Sequence, residues 1–266
     1  MSRILTVARI VWLEMLRRKD FYVLLILMGV MLFVLLSVNI FGLGGVVRYV
    51  LDVGMLLTWL CSLILAINIT GRQLPTEESR GTIYPLLAKP VNRMELLLGK
   101  WLGVWTAVGL ATLVFYLVLL AVYLLRGGEI SAETMAQAVI LHLAALGMIC
   151  ALVLALSTRM TYGASSTLGF VIILASYLLV PRIPWILTQA QGISGVGLRI
   201  IYYLLPHFEL FDMRQRVVHN WDSLAGQVGW STVFWIFLYA VLFTCIFILL
   251  AWLGYRNKRF KRSDLV

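Results

Sequence analysis

The sequence predicts an all-α integral membrane protein with six transmembrane helices, an N-terminal interfacial amphipathic helix and both termini in the cytoplasm. Three observations predict it. Of 266 residues, 62% are hydrophobic and 13% charged, against roughly a quarter charged in an ordinary soluble domain. The apolar residues gather into runs with few ionisable side chains, long enough to cross a hydrocarbon core of ~30 Å at about 1.5 Å per residue. Lys and Arg are also divided unequally between alternate connections, the asymmetry that sets membrane orientation. Backbone polar groups find no partner in lipid, so each span is expected to be a helix. No run shows the period-two alternation of a lipid-facing strand, which excludes a transmembrane barrel.

Residues 2–19 form the first element. Placed at about 100° per residue, Ile4, Leu5, Ala8, Val11, Trp12, Met15 and Leu16 share one arc, while Arg3, Thr6, Arg9, Glu14 and Arg17 lie opposite. Such a helix lies in the membrane interface with its cations toward anionic lipid. A basic tail that merely sets topology is the plainer alternative. This stretch lacks the short apolar core and small-residue cleavage site of a signal peptide, so it is expected to stay in the mature protein.

Six apolar runs follow as spans, at 21–41, 47–70, 101–125, 135–157, 163–180 and 230–255. With the amino terminus inside, 16 of the 22 Lys and Arg residues fall on the inner side and 6 on the outer, and all five lysines are inside. The positive-inside rule therefore puts both termini in the cytoplasm of a multi-pass cell-membrane protein. The same clustering of basic residues beside apolar runs explains the +10 charge without a nucleic-acid partner.

Between the fifth and sixth spans, residues 181–229 are too many for a turn and too apolar for a disordered linker. Residues 197–205 (GLRIIYYLL) are too few to span, so they read as a short interfacial or re-entrant helix before a polar stretch at 207–222.

The inner connection at 71–100, GRQLPTEESRGTIYPLLAKPVNRMELLLGK, is the most informative segment. Charges flank a short apolar core of Ile83, Tyr84, Leu86 and Leu87, and Pro90 ends any helix there. A small apolar face between Glu and Arg residues suits docking in a groove on a partner protein; a solvated charged face is the alternative. Gly99-Lys100 is no phosphate loop, because Met94 stands where the preceding Gly belongs and Trp101 where Ser or Thr belongs.

The pattern Glu78, Gly81-Thr82, Leu86-Leu87, Lys89-Pro90, Arg93, Glu95 and Gly99-Lys100 resembles the cytoplasmic signature of type-2 ABC transporter permeases. It is similar in particular to the branch associated with multicopper-enzyme maturation, typified by the permease serving nitrous oxide reductase. The span layout resembles that family across nearly the whole chain. The resemblance implies a transmembrane permease domain that catalyses nothing itself and binds no cofactor. ATP and Mg would sit on a separate cytoplasmic ATPase subunit, and a second permease copy, homodimer or close paralogue, would complete an export path. Under it, the 71–100 loop is the coupling element, and Glu78, Gly81, Thr82, Lys89, Pro90, Arg93 and Glu95 make or shape the ATPase contact. Pro85 departs from the family's run of helix formers. Membrane lipid is the other expected partner, and an extracytoplasmic accessory protein is a further candidate.

Other polar residues have competing readings. Arg48 and Asp52, four apart on one helical face, could pair at the outer mouth of the second span. His142 reads as a packing residue with a hydrogen bond, or as a proton relay. Ser165, Ser166 and Thr167 read as small residues at a helix contact, or as a nucleophile in need of a base. Asn39 and Asn68 suit interhelical hydrogen bonds. Cys61, Cys150 and Cys245 read as buried small hydrophobes, and no ligand spacing suggests a metal. A self-sufficient secondary transporter, which needs coupling-ion residues near the midplane, and a membrane enzyme, which needs a convergent acid–base or metal set, are the rival functions. The cargo is open.

Overall fold

A computed structural model describes residues 3–17, 22, 26, 29–30, 46–79, 92–125, 127–128, 130–189, 193–219, 228–256 and 258. The elements are α1 (Arg3–Arg17), α2 (Val46–Gln73), α3 (Pro75–Ser79), α4 (Arg93–Leu125), α5 (Ala132–Ser157) and α6 (Tyr162–Leu179). A 3₁₀ turn at Val180–Arg182, α7 (Ile183–Gln189) and α8 (Ile193–Leu204) follow. A second 3₁₀ turn (Phe208–Phe211), α9 (Arg214–His219) and α10 (Trp230–Arg256) complete the order. Among the described residues there is no strand.

Five helices, Tyr49–Ser79, Arg93–Leu125, Ala132–Ser157, Tyr162–Thr188 and Trp230–Arg256, are long and apolar enough to cross a membrane. The span expected at 21–41 lies outside the described residues, apart from four helical positions. Three boundaries differ from the sequence expectation. α4 begins eight residues earlier than 101, because Asn92 and Glu95 set up a helix start: the Asn92 amide donates to Glu95 Oε2 at 2.9 Å, half of a capping box. Its 33 residues make it roughly 50 Å long, so about 20 Å, between three and four turns, is in excess of a ~30 Å core. The fifth span does not stop at 180; Pro181 and Pro184 sit in the first turns of new helical segments, where a missing N–H costs nothing. The short helix expected at 197–205 begins at Ile193.

α5 is the centre of the bundle, packed against α2, α4, α6 and α10. Its alanines and Gly147 keep the backbone accessible, and α4 exploits this. The Trp101 indole donates to Gly147 O and the Trp105 indole to Leu143 O, each at 2.9 Å. The two rings stack with centroids 5.3 Å apart. Polar residues inside the spans are mostly satisfied by their own helices: Thr58, Thr70 and Thr112 each donate to the carbonyl four residues back. Asn68 makes the interhelical bond its type suggested, accepting from Tyr162 Oη at 2.8 Å; Asn39 lies outside the described residues.

α1 is a helix as expected, but it packs along α4. Val7, Val11 and Met15 are buried there, and the Trp12 indole donates to Thr106 Oγ1 at 2.9 Å. The apolar arc read from the sequence is thus divided, with Val11 and Met15 inside and Leu5 and Leu16 exposed. Gly99 and Gly103, one turn apart on α4, permit the approach. A Cβ on Gly99 would stand 2.6 Å from Val7 Cβ, and one on Gly103 would stand 2.8 Å from Val11 Cβ and 3.0 Å from Ala8 O. Backbone cannot yield as a flexible side chain does, so Gly103→Leu should cost about 1–3 kcal/mol or more. A cysteine at Val11, protected in the parent, should then be labelled by a soluble maleimide markedly faster.

Candidate functional site

At the end of the bundle that carries the 71–100 segment, the ends of five helices converge. Val7, Leu74, Leu96, Leu97, Leu154, Ala251 and Tyr255 form an apolar cluster of their own there, joining α1, the α2–α3 turn, α4, α5 and α10. Charged side chains surround this plug. α3 is short because Leu74 turns the chain between Gln73 and Pro75, and Pro75 occupies its first position. Its two carboxylates then face different neighbours.

Glu77 Oε2 lies 2.7 Å from Lys100 Nζ. Lys100 is 1% exposed, and its ammonium also donates to Gln73 O at 3.1 Å. Glu78 holds Lys258, just past α10, through both carboxylate oxygens at 2.8 and 2.6 Å. The same ammonium donates to Thr158 O at the end of α5, at 2.9 Å. On the other side, Arg93 Nη1 donates to Tyr255 O and Arg256 O, both at 2.6 Å. It thereby caps carbonyls that the end of α10 leaves without intrahelical partners. Its guanidinium also lies 5.8 Å from the centroid of the Tyr255 ring. Glu95 closes the start of α4 and stands 3.8 Å from Arg3.

The residues read from the sequence therefore divide. Glu78, Arg93 and Glu95 are brought to one end of the bundle, where each bonds within this chain. Gly81, Thr82, Lys89 and Pro90 lie outside the described residues. Glu77, Lys258 and Thr158 were missed. The Asn92-x-x-Glu95 spacing could have revealed the helix start, whereas no local pattern connects residue 78 with residue 258. The described residues on either side of positions 80–91 are both tied to the bundle and form two stalks. One, α3, is tied to α4 through Lys100 and to the ends of α5 and α10 through Lys258; the other, the start of α4, is tied to the end of α10 through Arg93.

At the other end of α2, Asp52 Oδ1 is 3.5 Å from Arg214 Nε of α9; the side chain of Arg48 is not among those described. The polar stretch expected at 207–222 is partly core, since Phe208, Phe211, Met213, Val217 and Val218 are buried. Their alternation with charged residues hid them. His142 is a bonded packing residue: Nε2 meets Ser62 Oγ at 2.9 Å and Nδ1 meets Tyr116 Oη at 2.8 Å. Ser165 and Thr167 donate to carbonyls of their own helix. A Cβ on Gly71 would stand 2.5 Å from Ser166 Oγ, so these small residues mark the close α2–α6 contact. Cys61 and Cys150 are buried as expected, whereas Cys245 is exposed on α10.

The sequence profile of the ABC-2 family transporter proteins matches residues 5–265, nearly the whole chain. The chain belongs to the ABC-2 transporter family. It is a multi-pass ABC transporter permease. No curated protein matches the chain significantly. Among the described residues, no group of three His, Cys, Asp or Glu is disposed to hold a metal ion.

Proposed function

We propose that this chain is the membrane half of an exporter in which two permease copies enclose the substrate path and a separate cytoplasmic subunit hydrolyses ATP. Both termini and the 71–100 segment face the cytoplasm, and residues 80–91 form the part that enters the ATPase. The Glu78, Lys89-Pro90 and Arg93 pattern favours the maturation-type branch of the family. The observation that carries the reading is the pair of stalks: Glu78 bound to Lys258 and Thr158 O, and Arg93 bound to the end of α10. Charge spent within the chain at the base of the segment makes a firm lever. The contact itself is then left to the residues beyond the stalks, Gly81, Thr82, Lys89 and Pro90. Glu78 and Arg93 thus shape the ATPase contact without making it.

Self-sufficient secondary transport fits less well, because the Asp and Glu residues of the described spans lie near helix ends, away from a midplane site. The test is Thr82→Cys, co-expressed with a candidate cytoplasmic ABC ATPase subunit from the same source. A cross-link to the ATPase, altered in yield by ATP, is expected. Substrate movement in proteoliposomes holding this chain alone, together with no cross-link from residues 81–90, would overturn the proposal.

A further inference from the structure

Toward the other end of α2 from Glu77 and Glu78, beside its residues 55–59, the bundle forms a half-open cavity of about 200 Å³. It lies below the roughly 300–1,000 Å³ of sites for drug-sized ligands, so it suits a single compact group and excludes a peptide or an acyl chain. Its walls are aromatic: Trp59 of α2, Tyr116 of α4, Tyr177 of α6 and Phe211 of the second 3₁₀ turn. The Trp59 and Tyr177 rings meet at 70° with centroids 4.3 Å apart, forming a corner. The faces of such rings carry partial negative charge and attract cations.

Besides His142, the ionisable side chains that line this space are Asp212 and Arg214. Arg214 is matched by Asp52 at 3.5 Å, which leaves the Asp212 carboxylate in excess. Asp212 is exposed between buried Phe211 and Met213, so it stands where the cavity meets the surroundings. Its Oδ1 accepts the Arg214 backbone N–H at 3.0 Å, which orients the carboxylate. Within the cavity, both His142 nitrogens are taken by Ser62 and Tyr116, and the imidazole adds no free ligand for a metal. The buried Tyr177 hydroxyl makes no well-formed hydrogen bond among the described residues.

We propose that this cavity binds a small organic cation, its ammonium group resting against the Trp59, Tyr116 and Tyr177 rings and facing the Asp212 carboxylate. The site belongs to one copy of the chain and is independent of ATPase coupling. Binding alone therefore tests it, and its failure would leave the proposed function standing.

The experiment is equilibrium binding of tritiated choline to the full-length chain in lipid nanodiscs, with tetramethylammonium and the neutral isostere 3,3-dimethylbutan-1-ol as competitors. Saturable binding displaced by tetramethylammonium but not by the alcohol is expected. Asp212→Asn should weaken it about tenfold, as expected for loss of a charge-assisted contact. Asp212 is exposed, so this variant should fold. Trp59→Leu should weaken binding similarly, whereas Tyr116→Phe, which keeps the ring face, should bind within about twofold of the parent. No saturable binding, equal displacement by the alcohol, or parental affinity in Asp212→Asn would each overturn the assignment.

Discussion

Alanine at Lys100 is expected to destabilise the protein by about 3 kcal/mol, among the larger single-residue effects a fold of this kind shows. The ammonium is 1% exposed and has two named partners, Glu77 Oε2 at 2.7 Å and Gln73 O at 3.1 Å. Removing it takes the buried cation from beside the Glu77 carboxylate and the side-chain donor from Gln73 O at the junction of α2 and α3. Breaking a buried pair from one side costs ~3–5 kcal/mol. The Glu77 side chain keeps 18% exposure, so water can recover part of its solvation and the low end of that range applies. An apolar pair of similar volume, Lys100→Met with Glu77→Leu, should recover most of the loss, because both desolvated charges disappear together. Unfolding in mixed micelles, followed by tryptophan fluorescence, measures both variants. A single substitution within about 0.5 kcal/mol of the parent would show that Lys100 is not an anchor.

The spans were legible because bilayer solvation leaves few choices. A run such as 135–157 must be helical, and α5 was found within three residues of its expected start. The early start of α4 was written locally in Asn92 and Glu95, but the charged residues of 93–100 looked like loop because loops and projecting helix ends are both polar. Continuation past Pro181 was hidden by a rule that holds for helix interiors and not for first turns. The α1 packing was legible only in part. Its periodicity showed an apolar arc, yet periodicity does not distinguish lipid from protein as the apolar neighbour; the Gly99 and Gly103 spacing carried that information. At the candidate site, the resemblance pointed to Glu78 and Arg93. Their partners, Lys258 and the end of α10, lie more than 150 residues away. Pairings of that kind are set by tertiary packing and leave no local trace.

Lysine at position 78 should leave the protein folded but sever its coupling to the ATPase, and glutamate at position 258 should partly restore it. The Glu78–Lys258 pair is part-exposed, with side chains 20% and 31% accessible, and exposed pairs contribute only about 0–1 kcal/mol. Glu78→Lys therefore costs far less stability than the Lys100 change, yet it places two ammonium groups where one carboxylate held α3 against α10. The stalk is released while the bundle persists. Exchange of the two charges re-forms an ion pair, so Glu78→Lys with Lys258→Glu should regain ATP-dependent transport and ATPase copurification. Recovery is incomplete because Lys258 also donates to Thr158 O at 2.9 Å, and a carboxylate at 258 would face that carbonyl without a proton to give. If Glu78 instead met the ATPase directly, the second substitution could not help, since Lys258 would have no part in the contact. A positive interaction energy between the two sites in a double-mutant cycle on coupled transport thus supports the internal lever. Strict additivity, with Lys258→Glu alone harmless, would transfer Glu78 to the subunit interface.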